Sequence, residues 1–172
     1  MNPESLLSIV LASAGAIYLV AVAWPLSRID IAEHRLPNRL VLPAFPISIV
    51  GQLAGSALSD KWLNLAVAAV AGATAFVIGL AANRWASLGM GDVKLISAIA
   101  LAMGWFSFMG PLLAVALAFI IACLVVLVLI GLGRSSLKSS IALGPYLLVG
   151  FVLTQMLIWS TYLGGFSPNF CM

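Results

Sequence analysis

Five acidic residues supply all the carboxylate side chains of this 172-residue chain, and three of them lie at the ends of long apolar segments. These three are Asp30, Glu33 and Asp92. A carboxylate at membrane depth costs roughly 2.5–3.5 kcal/mol on insertion scales, so acids kept in such places tend to serve a function. The other two, Glu4 and Asp60, are interpreted as solvated residues of a terminus and a turn.

A pair formed by Asp30 and Asp92 would have hydrolytic chemistry. Two carboxyl groups held close together cannot both ionise easily, so they share one proton. The ionised member acts as a general base on water while the protonated member polarises a carbonyl group. That chemistry cleaves a peptide bond without a metal or a covalent intermediate. The alternative is that each aspartate is a solvated helix end, and composition and spacing alone leave the two interpretations balanced.

Two glycines favour the functional interpretation of Asp92. Gly89 and Gly91 come just before it, where the backbone changes from loop to helix, and glycine lets another chain approach the backbone closely. A helix that begins near Asp92 is expected to favour the ionised form of its side chain through the helix dipole. Lys94 lies about 200° further around such a helix. We therefore expect Lys94 to reach lipid phosphates or substrate rather than Asp92.

The composition identifies an integral membrane protein. Hydrophobic residues make up 63% of the chain and charged residues only 8%, and the mean hydropathy is +1.19. A soluble domain has about 25% charged residues, so this chain has too few to cover a surface in water. There is no basic cluster for nucleic acid, and the single histidine and two cysteines lack the spacing of metal ligands. The sequence predicts neither a metal nor a cofactor.

Six apolar stretches predict an all-α polytopic fold of about six transmembrane helices, forming one domain over residues 1–172. The predicted spans are 6–26, 40–58, 62–82, 94–109, 111–133 and 141–163. The fourth is the shortest. Small residues in the third to fifth spans favour close helix packing. Four tryptophans near span ends are interpreted as interfacial anchors, namely Trp24, Trp85, Trp105 and Trp159.

Charge placement predicts the orientation of these spans. With six spans, seven of the eight basic residues fall on one side, and only Lys61 falls on the other. An excess of basic residues marks the cytoplasmic side, where anionic lipid headgroups are the expected neighbours. Asp30 and Asp92 lie on that same side. Proton-relay acids of transporters usually lie near the membrane midplane, so acids at span ends favour a protease over a small proton-coupled transporter or channel.

Two segments resemble the bacterial type IV prepilin peptidases, a branch of the Gly-x-Gly-Asp membrane aspartyl proteases. The sequence GMGDVKL at 89–95 looks like their Gly-x-Gly-Asp-x-Lys signature. The sequence DIAEHRLPNRLVLP at 30–43 is similar to the first catalytic segment of the family. There an aspartate ends a span and an Arg-x-Pro-Asn follows, matched here by Arg35, Pro37 and Asn38.

A third segment, KSSIALGPYLLVG at 138–150, resembles a family stretch in which a lysine is followed by Phe-Gly-Pro. Leu143 replaces the phenylalanine. The resemblance implies that Asp30 and Asp92 are the catalytic pair. It also implies supporting roles for the other matched residues, which are Gly89, Gly91, Lys94, Arg35, Pro37, Asn38, Lys138, Gly144 and Pro145.

The resemblance further implies a prepilin substrate, cut after the glycine that ends a short basic leader. Cleavage would take place at the cytoplasmic face of the bacterial inner membrane and serve pilus assembly. Larger members carry a cytoplasmic insertion between the first two spans, with zinc-binding cysteines, that is associated with methylating the new N-terminus. The break at 27–39 has no cysteine and no room for it, so the chain resembles the short Flp/Tad-type members. The oligomeric state is left open, a homo-oligomer included.

Overall fold

The computed structural model describes residues 3–33, 35–86, 88–132 and 142–163, and within these ranges the chain forms eight helices and no strand. The helices are α1 (Pro3–Ala12), α2 (Ala14–Glu33), α3 (Asn38–Val41), α4 (Ala44–Ser59), α5 (Trp62–Ala86), α6 (Met90–Gly104), α7 (Gly110–Gly131) and α8 (Gly144–Leu163). Five segments are long and apolar enough to cross a membrane. They are Ala14–Glu33, Asn38–Ser59, Trp62–Trp85, Gly110–Gly131 and Gly144–Tyr162. The predicted all-α polytopic membrane fold is confirmed.

The first predicted span is displaced toward the C-terminus. Instead of ending near residue 26, α2 continues to Glu33, so Asp30 lies in the last turns of a helix rather than in the break after it. The proline within α2, Pro25, does not end the helix, because neighbouring helices compensate for the lost hydrogen bond in membrane proteins. Backbone hydrogen bonds around Ser13 connect α1 to α2 almost without interruption.

The fourth predicted span, 94–109, corresponds to α6, which has only 15 residues and runs from Met90 to Gly104. It is too short to be one of the five segments that can cross a membrane, yet most of its residues are buried. It packs against α2, α3, α4, α5, α7 and α8. A helix surrounded by other helices need not match the thickness of the bilayer, because its ends contact protein rather than lipid. The first turn of α6, which contains Asp92, is therefore placed among the ends of several helices.

Small residues let α5 and α6 approach closely, as their abundance in these spans predicts. A β-carbon on Gly104 would lie 2.7 Å from the Cα of Ala68, and one on Gly72 would lie 3.0 Å from the Cβ of Leu101. The hydroxyl of Ser97 donates to the carbonyl oxygen of Gly72 at 2.8 Å. Close backbone approach of this kind replaces hydrophobic burial as the source of helix association in lipid.

The interpretation of Trp105 as an interfacial anchor is wrong. Its side chain is 1% exposed, its Nε1 donates to Ser56 Oγ at 2.9 Å, and its ring meets Phe106 edge-on at 4.9 Å. The indole N–H has a partner inside the bundle, so burial costs no unpaired donor. Trp24 and Trp85 are largely exposed, as anchors must be.

Candidate active site

Asp30 is a buried acid held between two helix ends. Its side chain is 5% exposed although it lies near the end of α2. The backbone N–H of Gly144, the first residue of α8, donates to Asp30 Oδ2 at 3.0 Å. The first N–H groups of a helix have no partner within the helix, and a carboxylate oxygen is a suitable acceptor for one of them. This contact joins α2 to α8 across the bundle.

Asp92 lies in the first turn of α6, after Gly89 at the N-cap position. It precedes the predicted span 94–109 and is outside the five spanning segments. Burial and, second in size, the negative charge of Asp30 together raise the pKa of Asp92 from 3.8 to about 6. The helix dipole is expected to favour the ionised form, but desolvation and the charge of Asp30 act in the opposite direction and determine the net shift.

Both aspartates line one cavity of about 380 Å³, a volume within the usual range for ligand pockets. The cavity is formed by the end of α2, the segment up to α3 and the start of α6. Its lining residues are Asp30, Arg35, Leu36, Asn38, Gly89, Met90, Gly91, Asp92 and Lys94. Residues from two of the three motif segments, 30–43 and 89–95, thus line one cavity with two carboxyl groups and two cationic side chains.

Lys94 contacts Asn38 on α3. Its Nζ donates to Asn38 Oδ1 at 2.9 Å, which ties α6 to α3. The expected contact of Lys94 with lipid phosphates or substrate stays a prediction. Because Asn38 is the first residue of α3, the hydrogen bond holds the wall of the cavity against the helix that carries Asp92.

The remaining predicted residues that the structure describes are not part of the cavity lining. Pro37 is the N-cap of α3 with extended torsions, φ −69° and ψ 122°. Pro145 is the second residue of α8, next to the amide that contacts Asp30. Glu33 is exposed and does not line the cavity. Lys138 and the single histidine of the chain, His34, lie outside the described residues.

Leu36 was not predicted as a site residue, yet it lies between two of the motif glycines. A β-carbon on Gly91 would be 2.8 Å from Leu36 Cβ, and one on Gly144 would be 3.3 Å from Leu36 Cδ2. The same substitution at Gly144 would bring the new carbon within 2.6 Å of Asp30 Oδ2. Because Gly91 and Gly144 have no side chain, there is room beside them for Leu36 and for the carboxylate of Asp30. The only signal in the sequence is an apolar residue in a break that is otherwise rich in charge.

Comparison with known proteins gives two matches. The profile of the type IV leader peptidase family matches residues 16–131. The prepilin leader peptidase/N-methyltransferase of Pectobacterium carotovorum subsp. carotovorum is 30% identical over 151 residues, which are 83% of this chain and 51% of the relative. The chain thus spans about half the length of that relative. No solved structure matches it.

Proposed function

The chain belongs to the type IV leader peptidase family, and on that premise we propose that it is an aspartyl endopeptidase that removes the leader of prepilins. The activity is assigned to one transmembrane domain over residues 1–172. The observation that carries the proposal is the shared cavity, in which Asp30 and Asp92 come together from different helices. Both aspartates fall within the range that the family profile matches.

The two carboxyl groups have different surroundings, which supports different roles. The raised pKa of Asp92 keeps its proton available, so Asp92 polarises the scissile carbonyl as the acid. Asp30 accepts a hydrogen bond from the Gly144 amide and takes a proton from the attacking water as the base. Water adds to the carbonyl carbon, the carbon–nitrogen bond breaks, and the proton taken from water passes to the leaving amine. A pair with one proton between them suits both halves of this reaction.

We place the reaction at the cytoplasmic face of a bacterial inner membrane. The ends of α2, α5 and α7 and the starts of α3, α6 and α8 are on the side that holds seven of the eight basic residues, which is the cytoplasmic side by the positive-inside rule. Arg35 and Lys94 line the cavity and would repel a basic leader, so lipid headgroups are their proposed contacts. A homo-oligomer is compatible with this arrangement.

The competing assignment is a small proton-coupled transporter or channel. Asp30 lies near the last turn of α2 and Asp92 in the first turn of α6, whereas relay acids usually lie at the middle of spans. Membership of a peptidase family favours hydrolysis over transport.

We further propose that the chain is a short Flp/Tad-type member without methylating activity. Only residues 34–37 separate α2 from α3, where the larger relatives carry their zinc-binding insertion. A pocket for a small molecule such as a methyl donor usually has a volume of roughly 300 Å³ or more, and a segment of this length is too short to form one. Mass spectrometry of pilin processed by this enzyme alone should find a free N-terminus. A mass increase of one methylene group at the first residue would contradict the proposal.

The test of the peptidase assignment is leader removal in a defined system. The purified protein is reconstituted in lipid vesicles with a prepilin from the same genome, and the product is identified by its N-terminal sequence. We expect a single cut after the glycine that ends the leader. Failure to cut any prepilin of the genome, with a known peptidase cutting the same preparation, would overturn the assignment.

A further inference from the structure

A second cavity begins where the active-site cavity ends, and the two share Lys94 in their linings. It has a volume of about 550 Å³ and lies between α4, α5 and α6. We propose that this groove, hereafter the α4–α5–α6 groove, binds the apolar helical segment of the substrate while the scissile bond lies between the aspartates. The inference rests on the proposed peptidase function and names where its substrate is held.

The groove extends from the level of the aspartates into the bundle. On α6 its lining residues are Lys94, Ser97 and Leu101, which lie on one face of successive turns. The seven residue steps from Lys94 to Leu101 span about 10 Å along the helix axis. Leu42, Phe45 and Ile49 follow the same spacing on the α4 side, counted from the end where α3 and α6 meet. A chain that enters at Lys94 can therefore continue along the membrane normal.

The lining of the groove is suited to an apolar helix. Ala69, Gly72 and Ala73 form its α5 side, and small side chains let another helix backbone approach closely. The hydroxyl of Ser97 is already used by the carbonyl oxygen of Gly72, so this polar pair is satisfied within the wall. Lys94, at the end of the groove next to the active-site cavity, is the one charged residue among the lining side chains. A polar or charged segment would lose its hydration here without gaining partners.

The groove adjoins the cavity that contains the aspartates, and this position favours the substrate over a lipid tail as its occupant. A peptide cut by acids at the end of a helix bundle must have its scissile bond at the membrane surface. The part of the substrate that remains in the bilayer then has to leave the cavity toward the hydrocarbon. The α4–α5–α6 groove adjoins the same cavity at Lys94, which lines both, and offers that path.

A second apolar groove provides a matched control. It has a volume of about 530 Å³ and lies between α7 and α8, with Gly110, Ala116 and Tyr162 among its lining residues. It shares no lining residue with the active-site cavity. Gly110 begins α7 and Tyr162 is near the end of α8, so this groove, hereafter the α7–α8 groove, lies toward the opposite membrane face. It is comparable in size and apolar character but is separate from the aspartates.

The test compares a bulky substitution in each groove. Ala73 and Ala116 both line their grooves, and phenylalanine in place of either would fill part of the space. We expect Ala73→Phe to raise the KM for prepilin about 10-fold, equivalent to about 1.4 kcal/mol, with a smaller effect on kcat. Ala116→Phe should leave both constants close to those of the wild type. Equal KM and kcat values for the two variants, with the wild type active, would overturn the proposed substrate binding in the groove but not the peptidase assignment.

Photocrosslinking keeps the proposal testable if Ala73→Phe does not fold. A benzophenone amino acid is placed at Ala69 or, as the control, at Ala116, in an Asp92→Asn background that retains uncut prepilin. Adducts from position 69 should contain the apolar segment that follows the cleavage site, and position 116 should give none. Adducts to lipid alone at position 69, or substrate adducts at position 116 only, would contradict the proposal. Absence of all activity in the wild type would instead count against the proposed function.

Discussion

Asp30 and Asp92 share a cavity but differ in what surrounds each carboxyl group. Asp30 is nearly inaccessible and accepts a hydrogen bond from the Gly144 amide. Asp92 is less buried, and its pKa is raised by burial and by the negative charge of Asp30. Because the two carboxyl groups are chemically identical, this difference in surroundings is what makes one of them the acid and the other the base.

The raised pKa of Asp92 predicts the pH dependence of cleavage. Below about pH 6 the side chain of Asp92 retains its proton, and it loses that proton as the pH rises further. Because the proposed acid must be protonated, kcat/KM should fall as the pH increases through about 6. The measurement is initial cleavage rates of reconstituted enzyme from pH 5 to pH 8. Glu33→Gln, at an exposed residue outside the cavity, is the control and should have the same profile. A kcat/KM that rises steadily through this range would contradict the assignment of Asp92 as the acid.

The identity of the candidate acids was predictable from the sequence, but their protonation and one neighbour were not. Asp30 and Asp92 could be selected because few acids exist and both lie beside apolar segments. The pKa of Asp92 depends on burial and on an acid 62 positions earlier in the chain, neither of which its own helix reveals. Leu36 could not be assigned because its role depends on glycines from two distant helices.

Among the helices, the contact between α8 and α2 is the one on which the position of Asp30 depends. Gly144→Ala would place a β-carbon 2.6 Å from Asp30 Oδ2 and 3.3 Å from Leu36 Cδ2. The carboxyl group must then move or α8 must shift. We expect cleavage to fall about 100-fold, the size of effect that a 1 Å misplacement of a catalytic group can have. The measurement is kcat/KM for prepilin.

Gly131→Ala is the matched control for that substitution. Gly131 is the last residue of α7, and a β-carbon there would meet no atom within 4 Å. This variant should cleave at the wild-type rate. If Gly144→Ala were as active as Gly131→Ala, the close approach of α8 to Asp30 would have no part in catalysis.

Helix existence was predictable from hydropathy, whereas helix ends were not. The fourth span was predicted at 94–109, but α6 occupies Met90–Gly104. The helix begins earlier than predicted, because Gly91 lies in its first turn and Gly89 is its N-cap. The first span was placed too early because the polar residues after Leu26 resemble a break. In the structure these residues continue α2 to Glu33, since the buried contact of Asp30 with α8 stabilises the helix end.

For the whole molecule, the orientation in the membrane is the feature that charge placement predicts and that labelling can test. Single cysteines are introduced at Arg39, Arg84 or Asp60, all exposed positions, in a background where Cys123 and Cys171 are replaced by serine. A maleimide that cannot cross the inner membrane should label position 60 from outside. Positions 39 and 84 should react only after the membrane is opened. Labelling of position 39 or 84 in intact cells would reverse the proposed orientation.

The organisation of the bundle follows from two general features of the sequence. Apolar length predicts where the long helices lie, although the described residues form eight helices, five segments of which can span a membrane, and six spans were predicted. Basic residues predict which ends lie together, so Asp30, Asp92 and Gly144 could be placed on one side without a structure. The packing of α6 among six other helices could not be predicted in the same way. It depends on which small residues face each other, such as Gly104 and Ala68, and hydropathy does not contain that information.

The most direct test of the paired aspartates is the N-terminal mass of a pilin produced with each of five enzymes. The enzymes are the wild type, Asp30→Asn, Asp92→Asn, the double variant that combines these two changes, and the control Glu33→Gln, each checked for equal amounts in the membrane. Because both carboxyl groups act on one proton, we expect either asparagine variant to lose activity by about 10²–10⁴-fold or more, and the double variant to be little worse. The wild type and Glu33→Gln should yield pilin without its leader. Leader removal by Asp30→Asn or Asp92→Asn at a rate near that of the wild type would contradict the account.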